Sequence, residues 1–326
     1  MCDVKHSRFR TVLGAAAALL LAVTLAGSCG SWHWVLDLAS HFRAYWLVGS
    51  AVCLALATRQ SRWPALACCG LAVAGNTWAL LPFWLPASGG PPTAFAAEPG
   101  APEAVPPLSL ILANVHRLNP DKSQAVAYLR DRQPDVAVIL EVDAGWRAHL
   151  ESLDEIYPHR MVEPREDNFG IAILSRWPLT DSRVVRFGGS PFPNVTAMLR
   201  FHGRDVRLFA THPHPPFNAA LAATQLAQLG ALADAAAAST APCIVAGDFN
   251  ATPWSAPYRL FVTRSGCRDT ALGFGVQPTW NARGIAPRIP IDHVFVSPDV
   301  AILQRSVGPD VGSDHFPVEA TLVLPP

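Results

Sequence analysis

The chain has 326 residues, of which 50% are hydrophobic and 15% are charged, and its formal net charge is zero at pH 7. A soluble domain usually carries about 25% charged residues, so this composition excludes an ordinary soluble protein over the whole length and indicates a strongly apolar segment. Residues 107–326 hold 18 Arg and one Lys against 21 Asp and Glu. That balance excludes a bulk basic surface of the kind that binds duplexes, and it leaves nucleic acid open as a partner only through a local basic patch.

Three uncharged apolar stretches, residues 11–27, 44–57 and 63–85, lie at the start of the chain. About 20 apolar residues cross a bilayer, so the third stretch is long enough to span it and the first two are short. Tryptophans lie near the ends of the stretches, as they do in the aromatic belts of membrane proteins. We therefore predict about three transmembrane helices within residues 1–86.

The first stretch has an alternative interpretation as a cleaved signal peptide. Lys5, Arg8 and Arg10 precede it, and the sequence Ala-Gly-Ser-Cys follows it. A basic segment, an apolar core and a small-residue cleavage site are the parts of such a peptide. The two later apolar stretches favour a multi-pass anchor instead.

The basic residues that flank the three stretches predict their orientation. With the N-terminus inside the cell, five of them lie in the cytoplasm and one lies outside, as the positive-inside rule requires. The inside residues are Lys5, Arg8, Arg10, Arg59 and Arg62, and the outside residue is Arg43. We therefore expect a multi-pass protein of the inner (cytoplasmic) membrane, with the chain after residue 86 in the extracytoplasmic or periplasmic space.

Residues 87–107 are rich in Pro, Gly and Ala and show no apolar periodicity. This composition is typical of a semi-extended tether between two folded parts of a chain. The predicted organisation is therefore a membrane anchor over residues 1–86, a linker over residues 87–107, and a folded domain over residues 108–326.

The folded domain alternates between short apolar runs, which are typical of buried strands, and segments with helical pattern and caps. We expect strands at residues 108–114, 135–141, 170–175, 195–201, 206–210, 243–248, 291–296 and 317–324. We expect helices at residues 122–133, 144–153, 219–238 and 255–263. Such an alternation predicts two sheets packed face to face with helices outside, a layered α/β domain.

Six of the apolar runs carry a polar residue at one end. These residues are Asn114, Glu141, His212, Asp248 with Asn250, Asp292, and Asp314 with His315. One polar strand end is ordinary, but six that supply carboxylates, amides and imidazoles suggest side chains that converge on one rim of a sheet. Such a set suits a hard divalent metal and a phosphate ester.

The sequence Gly-Asp-Phe-Asn at residues 247–250 is the sharpest local motif. A glycine allows a tight turn after the strand, which would present Asp248 and Asn250 together. The alternative is an ordinary surface turn, in which Asp and Asn are common.

A second motif places Asp314 beside His315 in a loop, as a metal ligand beside a general base would lie. A lone histidine is more often structural or solvated. Here Asp292 offers a carboxylate that could orient the His315 ring, which is a recurring way to hold a base in its useful tautomer.

Glu141 and Asn114 offer carboxylate and amide oxygens, which suit Mg²⁺ (or Mn²⁺) rather than zinc. His212 and His214 could also bind a transition metal, but no thiolate or spaced third histidine accompanies them. We therefore interpret His212 as a donor to a phosphate oxygen, and His214 as a bystander or a contact on the substrate side.

The domain holds two cysteines, Cys243 and Cys267, and no Cys-x-x-Cys zinc spacing. They could pair in an oxidising compartment. Cys243 lies in an expected core strand, however, so buried free thiols are the favoured interpretation.

The ordered set of motifs resembles the endonuclease/exonuclease/phosphatase superfamily over residues 108–324. The matches in order are Asn114, Glu141, residues 168–176 beginning at Asn168, His212, Asp248 with Asn250, Asp292, and Asp314 with His315. The resemblance implies a four-layer αββα sandwich that hydrolyses a phosphate ester. The N-terminal anchor and linker make the chain look like membrane-tethered bacterial members.

The resemblance also implies roles for single residues. Glu141, Asn114 and Asp314 would hold the divalent metal. His315, paired with Asp292, would activate water or balance charge, and Asp248 would position or deprotonate the nucleophile. Asn250 and His212 would donate to phosphate oxygens, and Asn168 would flank the scissile phosphate. Which of Asp248 and His315 takes the proton stays open.

Two departures bear on the substrate. Leu140 precedes Glu141, where many nucleases have Gln, and His116 stands where abasic-site endonucleases carry Asp. These departures argue against cleavage of abasic-site DNA. The predicted function is hydrolysis of a phosphodiester in nucleic acid, phospholipid or a small ester by a membrane-anchored enzyme. The alternative is a non-catalytic envelope interaction protein that retains the fold.

Overall fold

The computed structural model describes residues 2–59, 62–85 and 106–325. These residues form two compact units. The first holds the described residues up to Leu85 together with Trp254–Ala256, and the second holds the other described residues from 106 onward. The tether predicted over residues 87–107 lies almost entirely outside the described residues.

The first unit is helical. Its helices are α1 (Cys2–Ser28), α2 (Trp34–Leu38), α3 (Arg43–Arg59) and α4 (Trp63–Leu80). The three predicted apolar stretches therefore correspond to α1, α3 and α4, and the third continues beyond the end of α4. Small and apolar side chains pack the three long helices together, among them Leu13, Ala17, Cys53, Ala57, Ala65 and Cys69.

Two segments of the described residues, Ser7–Ser28 and Trp63–Phe83, are long and apolar enough to cross a membrane. Helix α3, with 17 residues, is shorter than these two segments. The structure therefore contains two of the three predicted spans at spanning length. A signal sequence near the N-terminus and the core helix of a soluble protein share this length and composition.

The second unit contains strands and helices in mixed order. Its strands are β1 (Leu108–Asn114), β2 (Val136–Leu140), β3 (His159–Glu163), β4 (Ile171–Ser175), β5 (Leu179–Val185), β6 (Asn194–Phe201), β7 (Arg204–Thr211), β8 (Cys243–Asp248), β9 (Arg268–Asp269), β10 (Asp292–Val296), β11 (Ala301–Val307) and β12 (Val318–Val323). Its helices are α5 (Ser123–Arg132), α6 (Ala144–Leu150), α7 (Ala219–Ala237) and α8 (Ala256–Ser265).

The strands of this unit form two six-stranded sheets within the described residues. The first sheet has the order β11-β12-β1-β2-β4-β3, and the second has the order β5-β6-β7-β8-β10-β9. β1 and β2 are parallel, as are β7 and β8. The neighbours β12 and β10 run antiparallel to β1 and β8. In the first sheet, the last residues of β1 and β2 therefore lie at the same end as the first residue of β12. In the second sheet, the last residues of β7 and β8 lie at the same end as the first residue of β10.

Alternation along the strands divides the interior into layers. Leu108, Leu110 and Leu112 of β1 belong to the cluster that both sheets share, whereas Ile111 and Ala113 belong to a cluster with α5 and α6. A third cluster joins the second sheet to α7 and α8. Because successive strand side chains point to opposite faces, these clusters stack as helix, sheet, sheet, helix. The predicted α/β class and four-layer αββα sandwich are confirmed.

Four strands of the structure were not expected from the sequence, namely β3, β5, β9 and β11. β5 shows why, because its central residues are exposed and its sequence Leu-Thr-Asp-Ser-Arg-Val-Val contains no apolar run. The expected helices start and end within three residues of the observed ones. Cys243 and Cys267 are buried and free, as the sequence analysis favoured.

Candidate active site

The polar strand ends of the two sheets meet in one place. Asn114 ends β1, Glu141 follows β2, and His212 follows β7. Asp248 ends β8 and is the direct cross-strand partner of Asp292, which begins β10. His315 lies two residues before Pro317, which leads into β12. All of these six side chains are buried.

Asp248 is the centre of this group. Its Oδ2 atom accepts a hydrogen bond from Nδ2 of Asn114 at 3.2 Å, which joins the two sheets. The same oxygen lies 3.4 Å from Nε2 of His212 and 3.7 Å from Nε2 of His315. Its Oδ1 accepts from the backbone N–H of Asn250 at 2.8 Å. One carboxylate oxygen is therefore shared by three polar side chains from both sheets.

Two buried histidine–aspartate pairs each have one member on β10. Nδ1 of His315 is 2.8 Å from Oδ2 of Asp292, and Nδ1 of His293 is 2.8 Å from Oδ2 of Asp269. The second ring nitrogen distinguishes them. Nε2 of His315 faces Asp248, whereas Nε2 of His293 is 2.9 Å from the carbonyl oxygen of Ala251. His315 is therefore turned toward the site, whereas both ring nitrogens of His293 contact oxygen atoms of the protein core.

The ionisation of these groups follows from their neighbours. Burial alone would lower the pKa of His315, but the negative charges of Asp292 and Asp248 outweigh it and raise the pKa to about 10. Burial would likewise lower the pKa of His212, and the hydrogen bond and charge of Asp248 raise it. Burial would raise the pKa of Asp248, but the charges of both histidines hold it below its usual range. At neutral pH Asp248 is thus a carboxylate that faces a protonated His315 and a second histidine, His212, whose pKa it raises.

Glu141 lies on the other side of Asn114. Its Oε1 accepts from Nδ2 of Asn114 at 3.1 Å, and its Oε2 accepts from the backbone N–H of Arg117 at 3.0 Å. Glu141 has a φ of +63°, a left-handed conformation that turns the chain sharply at the end of β2. Oδ1 of Asn114, which the sequence analysis assigned to the metal, accepts from the backbone N–H of His116 at 3.1 Å. Asn114 thus orients the two carboxylates of Glu141 and Asp248.

Asp314 faces the Glu141 side of the site. Its Oδ2 accepts from Nε1 of Trp280 at 3.3 Å, while its Oδ1 is buried and accepts no hydrogen bond from the described residues. A buried carboxylate oxygen without a donor is costly unless a cation compensates it. The carboxylates of Glu141 and Asp314 supply oxygen ligands of the kind that Mg²⁺ and Mn²⁺ bind. The residues present therefore fit a divalent metal.

A second group of metal-ligand type lies close by. One ligand atom each from Asp248, Asp292 and His315 lie within 4.8 Å of one another, and all three residues are buried. Oδ1 of Asp292 has no hydrogen-bond partner among the described residues. Both ring nitrogens of His315 already face carboxylates, however, so this group is arranged as a proton-holding chain, Asp292–His315–Asp248.

The Gly-Asp-Phe-Asn motif differs in one respect from the expectation. Gly247 lies within β8, and its φ is not positive; the left-handed residue is Asn250, with a φ of +49°. A Cβ atom on Gly247 would lie 2.2 Å from the carbonyl oxygen of Thr211. The glycine is therefore required by the close approach of β7 and β8, which brings His212 next to Asp248, and not by a turn.

Asn250, Asn168 and His214 lie at the edge of the group. Nδ2 of Asn250 donates to the carbonyl oxygen of Pro213 at 3.0 Å. Asn168 is exposed, and its Oδ1 accepts from Nε of Arg117 at 3.1 Å. The His214 ring stacks on Phe169, with centroids 5.4 Å apart. Asn168 precedes the buried Phe169, whose ring lies 5.2 Å from that of His212, and it lies on the exposed side of the group.

Three residues beside the site, Ser313, Arg117 and His116, were given no role in the prediction from sequence. The hydroxyl of Ser313 donates to the carbonyl oxygen of Asn114 at 2.7 Å and accepts from the backbone N–H of His315 at 3.1 Å. It therefore ties the His315 loop to the end of β1. Because Ser313 directly precedes Asp314 and His315, the sequence could have indicated that it belongs to the site. The contacts of Arg117 depend on the turn after β1 and could not be predicted in this way.

Comparisons with known proteins agree with this geometry. Residues 111–315 match the model of the Endonuclease/Exonuclease/phosphatase family. The structure is similar to an endonuclease/exonuclease/phosphatase from Beutenbergia cavernae, with 25% identity, a TM-score of 0.57, and coverage of 68% of this chain and 72% of that one. No significant match is found among curated proteins.

Two further solved structures share the fold at lower identity. TDP2 of D. rerio, complexed with a single-strand DNA product, has 21% identity and a TM-score of 0.56, over 66% of this chain and 98% of that one. The human Nocturnin catalytic domain with bound sulfate has 18% identity and a TM-score of 0.55, over 67% and 94%.

A four-layer αββα fold with carboxylates, amides and imidazoles gathered at the meeting edge of its sheets defines a metal-dependent phosphoric ester hydrolase. The chain belongs to the endonuclease/exonuclease/phosphatase family. It is therefore an enzyme of that hydrolytic class, and the family uses divalent metal ions.

Proposed function

We propose that the chain is a membrane-anchored phosphodiesterase that requires Mg²⁺ or Mn²⁺ and cleaves its substrate by attack of an activated water. The observation that carries this proposal is the shared oxygen of Asp248, which faces Asn114, His212 and His315 at the junction of the two sheets. Such an arrangement holds a nucleophile and the donors for a phosphate in one small volume.

Glu141 and Asp314 would hold the metal, because among the described residues Oδ1 of Asp314 accepts no hydrogen bond and Oε2 of Glu141 accepts one, from the backbone N–H of Arg117. Asn114 supports this assignment by fixing the Glu141 carboxylate. When bound, the ion would neutralise phosphate charge and stabilise the leaving oxygen.

Asp248 is assigned as the group that orients the attacking water and accepts its proton. It is ionised at neutral pH, since the charges of His315 and His212 lower its pKa against the effect of burial. His315 already carries a proton under the same conditions, because its pKa is raised to about 10. An imidazolium is suited to stabilising negative charge on the phosphate oxygens rather than to removing a proton.

His212 and Asn250 would complete the set of donors. The pKa of His212 is raised by Asp248, which favours the protonated ring as a donor, and Nδ1 of His212 is buried without a partner among the described residues. Asn250 has a second amide hydrogen beside the one given to Pro213. Asn168, with Arg117, would contact the substrate on the exposed side.

The substrate class is proposed as a phosphodiester, in a nucleic acid fragment, a phospholipid head group or a small ester. The domain's slight acidic excess disfavours long duplexes. TDP2 of D. rerio, which shares the fold, was crystallised with a single-strand DNA product. Single-stranded nucleic acid is therefore one of the proposed substrates.

Hydrolysis of a substrate panel by a fragment of residues 106–326 tests the function. The panel holds bis-p-nitrophenyl phosphate, p-nitrophenyl phosphate, single-stranded DNA, RNA, sphingomyelin and inositol phosphates. We expect turnover of at least one diester in Mn²⁺ or Mg²⁺, and slower turnover of the simple monoester. Absence of turnover with every diester would contradict the proposal and favour a non-catalytic envelope protein.

The membrane part of the proposal rests on the two apolar helical segments and on the basic residues around them. With three spans, α3 included, the enzyme domain would lie in the periplasm. We expect an alkaline phosphatase fusion placed after residue 90 to be active, because that reporter folds only outside the cytoplasm. Activity of a cytoplasmic reporter fused at the same residue would reverse the orientation.

A further inference from the structure

His116 lies between the two carboxylates that are proposed to hold the metal. Its Nδ1 atom is 3.3 Å from Oδ1 of Asp314 and 3.8 Å from Oε2 of Glu141. Oδ1 of Asp314 is the buried oxygen that accepts no hydrogen bond among the described residues. The His116 ring nitrogen therefore faces one oxygen of each of the two carboxylates on the Glu141 side of the site.

The backbone fixes His116 in this position. Its φ is +55°, in the left-handed region that a residue with a Cβ seldom adopts. Its N–H donates to Oδ1 of Asn114 at 3.1 Å, and its carbonyl oxygen accepts from Nε1 of Trp146 at 3.3 Å. Both main-chain polar groups are thus held by buried side chains. The position of His116 is therefore set by the fold, unlike that of a mobile side chain on the surface.

We propose that His116 is a nitrogen ligand of the divalent ion, so that the ion is bound by His116, Glu141 and Asp314. This inference rests on the proposed function. Imidazole is a ligand of transition metals, whereas Mg²⁺ is bound almost entirely by oxygen. The third ligand therefore makes the site selective for Mn²⁺, or a similar transition ion, over Mg²⁺.

Pulsed electron paramagnetic resonance of Mn²⁺ bound to the full-length chain in detergent tests the ligand directly. A coordinated imidazole gives ¹⁴N modulation of the echo decay, and labelling with ¹⁵N-histidine changes that pattern. We expect the modulation in the wild-type protein, its change on labelling, and its loss in His116→Asn. Asparagine tolerates the left-handed conformation and removes the ring.

His202→Asn is the matched control. His202 is also a left-handed histidine, with a φ of +47°, but it is exposed and packs against Trp177 on the β6–β7 turn. This variant should keep the modulation. We also expect His116→Asn, and not His202→Asn, to weaken Mn²⁺ binding at least tenfold and to leave Mg²⁺ binding less affected, which brings the two affinities closer together.

The outcomes separate this inference from the function. Bound Mn²⁺ without nitrogen modulation in the wild-type protein overturns the His116 assignment and leaves the hydrolase intact. Modulation that persists in His116→Asn assigns the nitrogen to another ring, such as His315, and also overturns it. If His116→Asn does not fold, the ¹⁵N-histidine measurement on the wild-type chain still decides whether histidine coordinates. Absence of any Mn²⁺ binding contradicts both the ligand and the proposed metal site.

Discussion

Replacing His315 by Gln is expected to lower kcat for a phosphodiester by roughly 10²–10⁴-fold, the range for loss of a positioned proton donor or charge-stabilising group. The reason is geometric. His315 is the ring that connects Asp292, at 2.8 Å, to Asp248, at 3.7 Å. Glutamine keeps a polar side chain of similar length but carries no positive charge. Steady-state kinetics with bis-p-nitrophenyl phosphate at saturating Mn²⁺ measure the effect.

His293→Gln is the control for this change, because the two histidines are both buried and have the same 2.8 Å contact with an aspartate. Asp269 would keep its hydrogen bonds from Tyr258 and from the backbone of Ala271. We expect a loss of about 1–3 kcal/mol in the free energy of unfolding and a kcat close to that of the wild type. Equal losses of kcat in both variants would show that His315 acts only as a structural histidine.

Glu141→Gln is expected to have an effect of similar size, a roughly 10²–10⁴-fold fall in kcat at a fixed metal concentration. The change removes the charge that attracts the ion while leaving a side chain of the same shape, and Asn114 and the Arg117 N–H can still bond to its oxygen. The metal dissociation constant should rise by about 10–100-fold, so high Mn²⁺ should restore part of the activity.

Glu319→Gln is the control for loss of a negative charge. Glu319 lies on β12 of the same sheet, where it pairs with Arg132 and Tyr128 outside the site. A partly exposed ion pair is worth about 0–1 kcal/mol, so this variant should be folded, and its metal affinity and kcat should be unchanged. A metal affinity that is the same in Glu141→Gln as in Glu319→Gln would remove Glu141 from the proposed metal site.

The central strands were predictable because burial on both faces makes them continuous apolar runs. β2 and β8 are buried at every residue, and both were expected with nearly correct ends. β5 was not, because four of its seven residues are polar and exposed, and its pairing with β6 is shifted by an irregularity. Strands at sheet edges depend on backbone pairing, which leaves little trace in a single sequence.

The candidate site was predicted as a set of residues but not as a set of contacts. Asn114 and Asp248 are 134 positions apart, and the hydrogen bond between them depends on how the two sheets pack. The left-handed conformations of Glu141 and His116 decide which atoms face the metal side. Such conformations are uncommon for residues other than Gly, so sequence preference does not reveal them. The second histidine–aspartate pair, His293 with Asp269, was hidden because it depends on the pairing of β10 with β9, a strand that was not expected.

The proposed activity requires strand ends from two sheets to gather around one divalent ion and to use it to hydrolyse a phosphodiester. The most direct test is turnover of bis-p-nitrophenyl phosphate by residues 106–326 before EDTA treatment, after it, and after Mn²⁺ or Mg²⁺ is added back. We expect turnover to fall to the uncatalysed rate in EDTA and to return with the metal, in proportion to the bound ion. Turnover that continues unchanged in metal-free enzyme would contradict the account.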